Sequence, residues 1–166
     1  MNVIALLKDD HRTVSALFLC FEQLGPRASP TKRRIVDQVI RELAMNAAIK
    51  EQILYPAVRR WLPAWENHVL DSLEKHQVLM WTLSELALLD VGATMFDAQV
   101  NVLMERVRAH IGQEEDGLFP AMEHAVPGRD LVALAQAIEW AKTAPLARTR
   151  LWRGPLPRRA GALAPA

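Results

Sequence analysis

Three histidines and one carboxylate, His11, His76, His110 and Glu114, interrupt stretches of otherwise apolar helical spacing. Imidazole and carboxylate together form the donor set that iron, zinc or manganese takes. His110 and Glu114 are four residues apart, so they share one helix face about 6 Å apart along the axis. Asn46 and Lys50 have the same spacing in another segment. They place an amide and an ammonium group where the pattern expects apolar side chains. Two chemistries are open. The donors can converge on a cation, or Lys50 can stand beside Glu114 and take a cation's place. A desolvated Lys50 would also be the candidate catalytic residue, as a base or Schiff-base nucleophile. A single histidine on an apolar stripe is more often a satisfied core residue. Three at matching depth, with a glutamate, carry more weight.

The elements that must position these groups are helical. Ile4, Leu7, His11, Val14, Phe18 and Phe21 follow a 3-4 spacing that Gly25 and Pro26 stop. After Ser29 and Pro30, a cap and a first-turn proline, the second stripe runs through Val36, Val39, Leu43, Asn46, Lys50, Ile53 and Ala57. Pro56 should kink it. The third stripe carries Val69, Leu73, His76, Met80, Leu83 and Ala87 and ends near Gly92. The fourth carries Val100, Leu103, Val107, His110, Glu114 and Leu118, with Pro120 bending or ending it. A shorter helix is predicted from about Arg129 to Thr143. Strand signals are nearly absent, so the fold class is all-α, an antiparallel four-helix bundle with a short extra C-terminal helix.

Residues 1–145 are expected to form that one domain. Residues 146–166 read as a basic, Pro/Arg/Ala-rich tail without order, in which only Trp152 would dock. His68 and His124 read as surface or hinge residues, and Cys20 as a small buried residue. Met80, Trp61 and Trp65 read as packing.

The 166 residues carry a formal net charge of +1, which gives no argument for nucleic acid as a partner. The lone Cys20 excludes an internal disulfide framework and fits a reducing cytoplasm. "MNVIALLKDDHRTV" has no basic leader region, and no apolar run reaches the ~18 residues of a spanning helix, so no membrane partner is expected.

Four stretches, "LLKDDHRTVSALF", "NAAIKEQILYPAV", "EKHQVL" and "HIGQEEDGLFPAM", together resemble the haemerythrin-like HHE cation-binding family. The resemblance covers about Val3 to Val126, and the paired "YP" and "FP" make it specific. It implies a four-helix bundle whose interior holds non-haem iron, with O2, NO or peroxide as small ligands. It assigns His11, His76, His110 and Glu114 as metal ligands. Two positions depart from the family pattern: Asn46 stands where the second-helix histidine is expected, and Lys50 where a bridging glutamate is expected. Met80 stands where some members have a further histidine. Glu51 and Glu115 point about 100° from Lys50 and Glu114 on a regular helix, so neither substitutes simply. A dinuclear iron centre is therefore expected to be lost. Either one non-haem iron or other divalent metal per chain is held by His76, His110 and Glu114, with His11 completing the set or standing behind it, or no metal binds and Lys50 pairs with Glu114. The functions to weigh are a metal-based small-ligand sensor or carrier, a metal-independent enzyme built on Lys50, and a structural or interaction module.

Overall fold

A computed structural model describes residues 1–27 and 29–143. Among them every regular element is helical. Helix α1 spans Val3–Glu22, and the Asn2 Oδ1 accepts from the Ala5 amide at 2.9 Å to cap it. Helix α2 spans Pro30–Ile49 and is capped by Ser29, whose hydroxyl accepts from the Lys32 amide at 3.1 Å. Helix α3, Tyr55–Trp61, continues α2 beyond Pro56. After a 3₁₀ turn at Pro63–Trp65, α4 runs over Glu66–Leu88. Helix α5 covers Phe96–Gln113, and α6, Phe119–Ala125, continues it beyond Pro120. Helix α7, Gly128–Thr143, is the last among the described residues. The tail expected at 146–166, with Trp152, lies outside the described residues.

The two prolines fall just after irregular turns of their helices. Neither ends its helix. Each follows a π-helical turn, at Lys50–Leu54 and Glu114–Leu118, in which the Tyr55 amide donates to the Lys50 carbonyl and the Phe119 amide to the Glu114 carbonyl. A proline has no N–H, and its ring crowds the carbonyl four residues back. The wider i→i−5 turn absorbs both problems while keeping the rod continuous, as single π turns at functional sites often do.

Two apolar clusters fill the bundle. One gathers Leu7, Leu54, Tyr55, Val58, Leu118, Phe119 and Met122 with Leu131, Leu134 and Ile138 of α7. The other gathers Phe18, Val36, Leu83, Leu86, Phe96, Leu103 and Val107. The buried polar residues His11, Lys50, His76 and Glu114 fall between these clusters in every long helix. Helix α7 packs on α1, α2 and the first π turn, and Lys142 fastens it to Asp10 at 2.6 Å. Cys20 is exposed, contrary to expectation. It lies two residues from Phe18, so the helix turns it about 200° away from the buried stripe. No helix among the described residues is long and apolar enough to cross a membrane.

Candidate functional site

At the centre of the polar layer, the Lys50 ammonium donates to Glu114 Oε2 at 2.5 Å and lies 3.2 Å from His11 Nε2. Lys50 is 1 % exposed and Glu114 is fully buried. His11 Nδ1 is 2.7 Å from Glu115 Oε1. A carboxylate can only accept, which places a His11 proton on Nδ1, while Nε2 faces both the Lys50 ammonium and, at 3.2 Å, Glu114 Oε2. The Phe119 ring stacks on His11, with centroids 5.7 Å apart.

The same pattern repeats around His76. Its Nδ1 is 3.0 Å from Glu51 Oε1, and its Nε2 faces the Tyr55 hydroxyl at 3.4 Å. That hydroxyl is also 3.5 Å from Glu114 Oε1. His110 Nε2 approaches Glu114 Oε1 at 3.4 Å, but out of line, so both His110 ring nitrogens are buried without a hydrogen-bond partner. The rings of His76 and His110 meet edge to face at 5.4 Å. Asn46 is outside the ion pair: its amide reaches Asp10 Oδ2 at 3.5 Å. A cavity of about 30 Å³ is bordered by His11, Asn46, Lys50, His76 and His110. That is room for a water molecule or a diatomic gas.

Burial and charge set the protonation states. Burial pushes the Glu114 carboxyl up, but the Lys50 ammonium beside it overrides this and holds it well below the usual range. Burial lowers His76, favouring the neutral ring, against the opposing pull of Glu51. Burial, with the Glu114 charge, raises Tyr55, so it stays a phenol. The centre is thus a Lys50–Glu114 ion pair with a neutral His76 beside it.

The sequence pointed to His11, Asn46, Lys50, His76, His110 and Glu114, and the structure brings all six to one level. It also adds three residues. Tyr55 was only part of a motif, although its place after a π turn puts its hydroxyl between His76 and Glu114. Glu51 and Glu115 were set aside because a regular helix would turn them away. The π turns begin one residue before each of them. The wider turn swings each carboxylate onto a histidine of a neighbouring helix. The signal for this was Pro56 and Pro120 at matching distances behind the two glutamates.

The donors can be tested for fit to a pair of divalent cations. His11 Nε2 and Glu114 Oε2 are 3.2 Å apart, and the Lys50 ammonium contacts both. A cation there would meet a positive charge in place of a second carboxylate. At an effective dielectric near 20, one such repulsion at several ångströms costs a few kcal/mol. These residues do not fit a dinuclear centre. His76, His110 and Glu114 form the other half, with Glu51 orienting His76 as carboxylates orient metal-bound histidines. As the side chains stand, no three His, Cys, Asp or Glu donors among the described residues are grouped closely enough to hold an ion.

Comparison with known proteins places this geometry in context. The family model described as "Hemerythrin HHE cation binding domain" matches residues 2–122. A curated protein from Nostoc sp. strain PCC 7120, named DNA nickase, is 25 % identical over 152 residues, covering 91 % of this chain and 40 % of that protein. The chain therefore spans less than half of that relative's length. No solved structure gives a significant match.

Proposed function

Because the chain belongs to the haemerythrin HHE cation-binding family, we propose that it is a member in which the Lys50 ammonium replaces a cation, leaving a metal-free interior that binds a small neutral ligand. The observation that carries this is the position of Lys50 Nζ, in contact with both Glu114 Oε2 and His11 Nε2. His11 and Glu114 are two of the residues the family resemblance implies as metal ligands. The ammonium has three donors. Glu114 and His11 take two, and Lys50 also borders the 30 Å³ cavity. A ligand with a lone pair and the size of water, O2 or NO fits that space.

Within this reading each residue has a task. Glu114 stays ionised and fixes the ammonium. Glu115 and Glu51 hold His11 and His76 in one tautomer each. Phe119 and Tyr55 wall the rings against the apolar cluster. Use of Lys50 as a base or amine nucleophile on a larger substrate is disfavoured by the same cavity, which has no room for one. A single divalent metal on His76, His110 and Glu114 is the second reading, favoured by the two unpartnered nitrogens of His110. The activity in the name of the Nostoc protein is left with that protein.

Metal analysis of chain purified without chelator or metal-affinity tag tests the proposal. Iron, zinc and manganese far below one per chain are expected. Stoichiometric metal, lost on His110→Ala, would establish the second reading instead.

A further inference from the structure

The seam between α4 and α5 is uncovered and forms an open groove of about 820 Å³. On its walls Val78, Trp81, Met95 and Val102 are between 47 and 59 % exposed. Contiguous apolar surface of this kind on two adjacent helices marks an interaction face. The seam between α1 and α2, by contrast, is covered by α7.

Contacts across the open seam fix which residues stand level. Lys75 meets Gln113 at 2.9 Å, and the rings of His76 and His110 touch. Counting up α4 and down α5 from there puts Val78 level with Ala109, Trp81 with Arg106 and Glu85 with Val102. The middle of the face therefore carries two charges, an acid on one wall and a base on the other, one helical turn apart. Glu85 and Arg106 are both exposed, and neither makes an ion pair among the described residues.

A face with this pattern is complementary to itself. A two-fold axis laid along the groove, parallel to the helices, keeps every level and exchanges the walls, so that α4 of one copy lies over α5 of the other. Arg106 then meets the second copy's Trp81 at its own level and the second copy's Glu85 one turn along, within reach of both side chains. Symmetry forms each contact twice. Each helix runs antiparallel to the one it meets, and the four make a second antiparallel bundle across the axis. An axis laid across the helices instead sets α4 on α4 and α5 on α5, which keeps Glu85 from Arg106. Helix α5 has 18 residues, a length of about 27 Å. Two such helices about 10 Å apart offer roughly 500 Å² per copy. The total of about 1,000 Å² is the size at which specific interfaces begin.

We propose that two copies of this chain pair through their α4–α5 faces, joined by reciprocal Glu85–Arg106 ion pairs within an apolar contact. His76, Leu79 and His110 border both the groove and the inner cavity, so pairing also covers the outer side of that cavity's wall. The contact does not depend on whether the interior holds a metal.

Sedimentation equilibrium of the full chain across the micromolar range tests this. A monomer–dimer equilibrium is expected. Glu85→Arg and Arg106→Glu should each raise the dissociation constant at least about tenfold, because each puts two like-charge contacts into the symmetric dimer. Glu85→Arg combined with Arg106→Glu rebuilds both pairs in reverse and should return the constant to within about threefold of the parent. Val102→Glu sets a carboxylate against the second copy's Glu85 and should leave only monomer. All three positions are exposed, and circular dichroism checks that the variants fold. A monomeric parent overturns the inference, whether another segment of the chain, a different protein or a lipid then covers the groove. So does a dimer unmoved by Val102→Glu, whose contact lies elsewhere. A double variant no tighter than the single ones also overturns it, since the two charges then do not meet.

Discussion

The α1–α2 half and the α4–α5 half of the bundle are built on one plan. Lys50 and Glu114 are 64 residues apart in sequence, and the same offset relates Glu51 to Glu115, Tyr55 to Phe119 and Pro56 to Pro120. The halves cross over: Glu115 orients His11 of the first half, and Glu51 orients His76 of the second. Three differences break the likeness. Lys50 faces Glu114 where two like groups would otherwise meet. Asn46 occupies the counterpart position of His110. The α1–α2 seam is covered by α7, while the α4–α5 seam is open. The shared parts orient rings and are indifferent to what stands between them. The unshared parts decide the charge of the centre and the side from which it is reached.

Making the halves alike should have the largest effect. Asn46→His with Lys50→Glu gives the first half an imidazole and a carboxylate and removes the ammonium. Iron content is expected to rise toward two per chain, with visible absorption in air. Lys50→Glu alone should raise it less, because one imidazole is still missing. A folded double variant with no more iron than the parent would show that His11, His76 and His110 are not arranged as ligands.

Next in size is the loss of one partner of the pair. Lys50→Ala leaves Glu114 buried and uncompensated, and breaking such a pair costs about 3–5 kcal/mol. Lys50→Met with Glu114→Gln removes both charges and should cost far less in urea unfolding. Equal losses for the single and double variants would mean that the pair is not the source of the penalty.

Acid should act more gently, and on two groups of the α4–α5 half. A neutral His76 with a lowered pKa binds fewer protons folded than unfolded, so its contribution is complete above 6.5 and declines as pH falls below that value. Glu114, also lowered, keeps its contribution above 4.5 and loses it as pH falls through its folded value. The melting temperature should be flat above about pH 7, then fall in two stages. With His76→Gln only the lower stage should persist. A profile unchanged between pH 7 and pH 4 would contradict both assignments.

The smallest effect tests the orienting carboxylates. Glu51→Gln and Glu115→Gln each exchange a charged acceptor for a neutral one at a partly exposed site, worth about 1 kcal/mol or less. Similar values for the two would confirm that this part of the plan is shared. A much larger loss at Glu115 would tie it to the Lys50 pair through His11.

Much of this was legible in the sequence, for a local reason. Residues three and four apart meet on a helix face whatever surrounds them, so the stripes of α1, α2, α4 and α5 and the polar positions within them could be read directly. Ser29–Pro30 and Gly25–Pro26 fixed boundaries by local chemistry as well. The exchange of Glu for Lys at position 50 was visible in the same way, and with it the change in charge. Tertiary structure decided the rest. Glu51 and Glu115 reach histidines only because two prolines widen the preceding turns, and those histidines belong to helices far away in sequence. The placement of the Lys50 ammonium against both His11 and Glu114 depends on three rods meeting at one level. The covering of one seam by α7 and the opening of the other depend on where a C-terminal helix finds apolar surface, since burial rewards area without regard to which residues supply it.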